Sequence, residues 1–218
     1  MALSLLSAHE SDRANRFHFD RHRWRYIASH AALRLLIERY TTIPAHEVVI
    51  VAEPTGRPVL GHPASGPHFN LSHSGAVAIV AISFAAPVGV DVEKVRPVPD
   101  FADLAHRYFA VREVERLLAL PQKRRLDGFF ATWTRKEAFV KALGLGLSYP
   151  LDAFDTGPPD RSPSLTRANG VAYTDWTLSE LRPASGVIGA LAIGLPQIGL
   201  RCRRAKWSWL LDGLPSAL

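Results

Sequence analysis

Nine consecutive residues, Ala76 to Phe84, read Ala-Val-Ala-Ile-Val-Ala-Ile-Ser-Phe. The run is almost wholly apolar and partly β-branched, which predicts a buried strand. It is far shorter than the roughly 20 residues a membrane-spanning helix needs, and no other apolar run approaches that length. Val88-Gly89-Val90-Asp91-Val92-Glu93 follows it. Alternation there puts three valines on one face of a second strand and Gly89, Asp91 and Glu93 on the other. Both strands need covering, and the rest of the chain supplies helices. Trp24, Ile27, Ala28, Ala31, Leu35 and Leu36 recur at helical spacing within a helix predicted over Arg21 to Tyr40. Further helices are expected over Phe101–Tyr108, Arg112–Ala119 and Lys123–Leu143. The fold class is therefore α+β.

Shorter strands are expected at Glu47–Ala52, Phe69–Ser72, Val171–Leu181 and Val187–Leu195. Loops are expected at Pro54–Pro58, at the Pro97-Val98-Pro99 break and at Asp155–Arg161. One internal echo stands out: Ser74-Gly75 and the apolar run after it resemble Ser185-Gly186 and Val187–Ile193. The echo suggests two similar α+β halves, residues 1–95 and 96–200, joined near Glu93–Pro99. Residues 201–218 form a tail, expected to pack back on the body through Trp207, Trp209, Leu210 and Leu211.

The chain has 218 residues, 47% of them hydrophobic and 21% charged, enough for a sizeable core and unlike a disordered composition. Its single cysteine, Cys202, excludes an internal disulfide and a cysteine zinc site, and points to a reducing cytoplasm. No basic residue precedes the apolar patch at the start, so a signal peptide is not expected. The net charge of +6 suits anionic partners without choosing among them.

The chemistry concentrates in three places. Asp91 and Glu93 project from one face of a strand. At about 4 Å such a pair repels by roughly 1 kcal/mol in water and roughly 4 kcal/mol at an effective dielectric of 20. Two solvated charges are one reading. A hard divalent cation is the other, since magnesium needs only one or two carboxylates plus substrate phosphates. On the last long helix, Glu137 and Lys141 are i,i+4 neighbours. They form either a surface pair, or a third carboxylate with a cation one turn on. Gly144-Leu145-Gly146 stops that helix. Two loop segments suit phosphate: Thr55-Gly56-Arg57-Pro58, and Asn70-Leu71-Ser72-His73-Ser74-Gly75. A serine hydrolase is not expected, because adjacent Ser and His do not make a nucleophile–base pair and no Gly-x-Ser-x-Gly elbow is present.

Taken in order, these pieces resemble the Sfp-type 4′-phosphopantetheinyl transferase superfamily. Phe69–Gly75 is similar to its Phe-Asn-x-Ser-His-Ser element, and Gly89–Glu93 to its Gly-Ile-Asp-Ile-Glu element. Trp133–Lys141 is similar to its Trp-x-x-Lys-Glu-(Ala/Ser)-x-x-Lys element, and Gly56-Arg57-Pro58 to its Gly-Lys-Pro loop, with arginine for lysine. The likeness spans about Arg13 to Leu147. It implies two α+β halves related by a pseudo-twofold axis, with coenzyme A between them. It implies magnesium held by Asp91, Glu93 and Glu137, with Glu137 also the base for a carrier serine. Lys141 and His73 would hold the pyrophosphate, Thr55 and Arg57 would approach the nucleotide phosphate, and Ser72 would help bind coenzyme A. Arg13, Arg16 and Arg25 are candidates for the 3′-phosphate. The implied reaction moves phosphopantetheine to a serine of an apo acyl, peptidyl or aryl carrier protein and releases 3′,5′-ADP. The length matches the monomeric branch, and neither nucleic acid nor membrane is an expected partner. Two competing readings are a catalytically silent coenzyme A binder, disfavoured by three acids facing phosphates, and a nucleic-acid binder, suggested by charge alone.

Overall fold

The computed structural model describes residues 2–63, 66–167 and 170–206. The expected packing of Trp207–Leu211 lies outside them. The described chain packs as two units.

The first unit holds 2–51, 59–63, 66–67 and 199–206. Helix α1 (Ala8–Asn15) starts at a capping box in which Ser7 and Glu10 exchange hydrogen bonds. Glu10 also accepts from Arg34 at 2.7 Å. Arg34 lies on α2 (Asp20–Thr41), 1% exposed, and donates on to the carbonyls of Ala45 and Val48. One buried guanidinium thus ties α1, α2 and the following loop. A short hairpin follows, β1 (Ile50–Ala52) with β2 (Pro58–Leu60), whose tip Ala52–Pro58 groups with the second unit.

The second unit, Ala52–Pro58 and His68–Ile198, is α+β. Strands β3 (His68–Ser74) and β4 (Val77–Ser83) pair antiparallel. After β5 (Val88–Lys94) come α3 (Phe101–Tyr108), α4 (Val111–Ala119) and α5 (Gln122–Leu143). Two short strands, β6 (Phe154–Asp155) and β7 (Thr166–Arg167), precede the hairpin of β8 (Thr177–Ala184) and β9 (Val187–Ile193). The main sheet runs β5-β9-β8, antiparallel throughout. The two echoing segments are both second arms of hairpins, entered near Gly75 at φ +61° and Gly186 at φ +65°. Strand β8 starts later than the alternation at Val171 suggests. It tolerates Pro183 because the register shifts between Leu181 and Ala184 on an edge strand.

Strand β5 is covered on both faces. Val88 and Val90 pack with Ala81, Ala86, Leu191 and Ile193. On the opposite face lies α5. Its Ala138, Phe139 and Ala142 pack with Phe154, Ala190 and Ala192, so that small residues set the helix close to the sheet. Phe139 is wholly buried, and burial of a side chain this size contributes roughly 1.5–3 kcal/mol. Gly89 shows how close the approach is. A Cβ there would collide with the Ala138 carbonyl and the Ala142 amide. The glycine that sequence alternation places beside Asp91 and Glu93 is what admits the helix carrying Glu137 and Lys141.

Among the described residues no helix is long and apolar enough to cross a membrane.

Candidate active site

The close approach of α5 to β5 brings acids and a lysine together within one unit. Asp91 is buried, and Lys141 Nζ donates to its Oδ1 at 2.6 Å. Ser72 Oγ donates to the same oxygen at 2.9 Å. The other oxygen, Oδ2, is buried with no partner among the described residues. Burial pushes the Asp91 carboxyl above the ordinary range, although Lys141 and Ser72 pull it down; Glu93 adds to the rise.

Glu137 lies within electrostatic reach of Asp91 and Glu93. The helical pair with Lys141 is not formed, because that ammonium sits on Asp91. No hydrogen bond or ion pair holds the Glu137 carboxylate among the described residues. Burial raises its pKa first, the Asp91 charge raises it further, Lys141 opposes, and Glu93 adds to the rise. Its neighbour Lys136 sits about 100° round the helix and points into the core. There its ammonium meets Glu113 at 2.6 Å with both side chains fully buried. It also donates to the carbonyls of Leu151 and Phe154. The Lys-Glu dipeptide therefore has two jobs: Lys136 fastens α5 and Glu137 faces the acids of β5. Glu93 completes the group, accepting from Ser74 Oγ at 2.8 Å and Arg96 at 2.9 Å.

As placed, no three His, Cys, Asp or Glu side chains among the described residues converge on a metal position. The donor set still fits a hard divalent cation. Among the described residues Asp91 Oδ2 is an orphaned buried acceptor and Glu137 has no hydrogen-bond partner, and Asp91 and Glu93 act electrostatically on Glu137. All three offer oxygen, the ligand such an ion takes.

The remaining sequence candidates are placed as follows. Ser72 lies beside Asp91 but is engaged within the protein, accepting from Val92 N and standing 3.5 Å from Lys141 Nζ. His73 is exposed and alternates to the face of β3 opposite Ser72. Thr55 is exposed on the hairpin tip, where its carbonyl lies near Gly146. Arg57 forks onto Glu53 at 2.9 and 3.0 Å, donates to the Ala142 carbonyl at the end of α5, and lies against Gly144. An anion there would meet a guanidinium already aimed at a helix C-terminus. In the first unit, Arg13 and Arg16 line a groove of about 460 Å³ with His9 and Phe17. Arg25 is exposed on α2 and does not line that groove.

Three residues at the site have structural roles that the sequence does not assign to them. Asn70 and Ser74 bond β5, and Glu113 holds Lys136. The pattern Asn-x-Ser-x-Ser on one strand face was a readable signal for the first two. Nothing local marks Glu113 as the partner of a lysine on the next helix.

Known proteins similar to this chain point one way. The sequence model of the 4′-phosphopantetheinyl transferase superfamily matches residues 87–195, and that of the 4′-phosphopantetheinyl transferase N-terminal region matches 1–85. The 4′-phosphopantetheinyl transferase HetI of Nostoc sp. is 36% identical over 190 residues, 86% of this chain and 78% of that one. The 4′-phosphopantetheinyl transferase psf-1 of Bacillus pumilus is 38% identical over 65% of this chain and 59% of its own length. The 4′-phosphopantetheinyl transferase Sfp of Bacillus subtilis is 31% identical over 70% and 66%.

Proposed function

The chain belongs to the 4′-phosphopantetheinyl transferase superfamily, and we propose from that membership that it transfers the 4′-phosphopantetheine group of coenzyme A to a serine of an acyl, peptidyl or aryl carrier protein. The product released is 3′,5′-ADP. The observation that carries the reading at the residue level is the acid group on β5 and α5, short of compensating charge at Asp91 Oδ2 and Glu137.

Asp91, Glu93 and Glu137 would hold magnesium, which when bound neutralises charge on the diphosphate. Glu137 acts as base toward the carrier hydroxyl. A serine hydroxyl is a weak nucleophile at neutral pH, and a carboxylate with a raised pKa is a better acceptor for its proton than an ordinary one. Lys141, partly exposed, offers its ammonium to the phosphate oxygens as charge builds on the leaving group. Arg57, Thr55 and His73 are the proposed contacts to the rest of the diphosphate and its nucleotide, and Ser72 supports coenzyme A binding through its bonds to Asp91 and Lys141. Arg13, with Arg16 in its groove, is the better candidate for the 3′-phosphate, and Arg25 the weaker. The surplus of basic residues suits an acidic carrier surface, which also steers encounter. We read the protein as a monomer working in the cytoplasm.

Incubation with an apo carrier protein, coenzyme A and magnesium tests the reading, with intact mass as the readout. The carrier gains one phosphopantetheine, and the gain disappears when the divalent ion is chelated. An unchanged carrier mass across acyl, peptidyl and aryl carriers defeats the proposal.

A further inference from the structure

Strand β5 has two edges. One pairs through its backbone with β9. The other faces β3, whose own backbone is paired with β4 from His68↔Ser83 to Ser74↔Val77. The amides of Val90, Val92 and Lys94 on that second edge still need acceptors. A buried N–H left without one costs about 1–3 kcal/mol, and Val90 and Val92 are buried.

Side chains of β3 supply the acceptors. Asn70 Oδ1 accepts from Val90 N at 3.0 Å, Ser72 Oγ from Val92 N at 3.3 Å, and Ser74 Oγ from Lys94 N at 3.0 Å. The separation is 20 residues at every rung. Every second side chain of β3 therefore meets every second amide of β5, with both strands advancing the same way.

Two rungs do more than satisfy an amide. A hydroxyl that accepts from an N–H still has its own proton to donate. Ser72 donates to Asp91 Oδ1 at 2.9 Å, and Ser74 donates to Glu93 Oε2 at 2.8 Å. Each serine bridges one residue's amide to the carboxylate of the residue before it. The amide fixes the oxygen, which fixes where the hydroxyl proton points, and a carboxylate oxygen accepts it. The third rung confirms the logic. The residue before Val90 is Gly89, which has no carboxylate, and the side chain there is an asparagine acting as acceptor.

We infer that Ser74, together with Ser72, is a positioning residue that aims the β5 carboxylates as a pre-set pair of cation ligands. The inference rests on the function proposed above. Ser74 acts through Glu93 and does not touch coenzyme A. Ser72 is saturated by Val92 N, Asp91 and Lys141. Outer partners of this kind typically change metal affinity by 10- to 100-fold when removed.

The test uses the full chain with saturating coenzyme A and Mn²⁺ as the probe, read from the electron paramagnetic resonance signal of free Mn²⁺. Ser74→Ala weakens Mn²⁺ binding about tenfold, and Ser74→Thr, which keeps the hydroxyl, restores it. Coenzyme A affinity without a divalent ion, and the thermal midpoint, stay level across the three proteins. Wild-type Mn²⁺ affinity in Ser74→Ala, or failure of the threonine to restore it, overturns the inference. So does weaker coenzyme A binding by Ser74→Ala in metal-free buffer, which would make the serine a direct contact. A wild-type protein that takes up no Mn²⁺ overturns the proposed function and this inference with it.

Discussion

Glu137→Gln lowers transfer by orders of magnitude and leaves a protein more stable than the wild type at neutral pH. The two effects have one origin. Glu137 is partly buried, which raises its pKa first; Asp91 and Glu93 raise it further, and Lys141 opposes. Glutamine keeps the shape and removes the repulsion. The gain is on the order of 1 kcal/mol, which in a domain of this size raises the melting temperature by roughly 2–4 °C. The sign follows from linkage. A carboxyl whose folded pKa is raised binds its proton more tightly in the native state, so its contribution is present at low pH and lost as pH rises through the raised value. Variant and wild type therefore converge in acid and separate toward neutrality, as thermal melts across pH will show. Loss of the base lowers turnover by about 10²–10⁴-fold. Equal melting temperatures at neutral pH contradict the repulsion, and retained turnover contradicts the role as base.

Lys136→Met has the largest effect on folding. The Lys136–Glu113 pair has no solvent exposure on either side chain. Glu113 also accepts from Ala110 N, Thr156 N and Thr156 Oγ1, so it joins the start of α4 to the chain after β6. Burial drives the Lys136 pKa down, opposed first by Glu113, so the pair is held against a desolvation penalty. Removing one partner strands the other charge, at about 3–5 kcal/mol. Urea unfolding reads this as a lower midpoint with an unchanged slope. Adding Glu113→Gln to Lys136→Met recovers part of the loss, since the neutral amide leaves no stranded charge and keeps a carbonyl oxygen for Thr156. If the double variant is less stable than the single one, the pair is not the cause.

Local patterning carried much of the fold into the sequence. The apolar spacing between Trp24 and Leu36 marks α2, and the valine alternation at Val88–Val92 marks β5. The acids Asp91, Glu93 and Glu137 could be named as candidates before any coordinates, from the strand face of the first two and from the family motifs that hold all three. Which charge meets which could not. Lys141 sits four residues from Glu137, the spacing of a helix pair, yet it bonds Asp91 on β5. That choice depends on Gly89 admitting α5, a distance no local pattern encodes. Ser72 was readable as polar but not as a rung, because its partners lie 19 and 20 residues on. Lys136 carries the same charge as Lys141 in the same motif, and only the packing separates a strut in the core from a cation at the site.

On the proposed function, Asp91 and Glu137 gain positive charge from a divalent ion, which the cofactor diphosphate shares. Calorimetric titration of magnesium into the full chain saturated with coenzyme A measures this directly. The wild type binds one ion per chain, and Asp91→Asn binds none over the same range. Equal magnesium affinity in both proteins would contradict it.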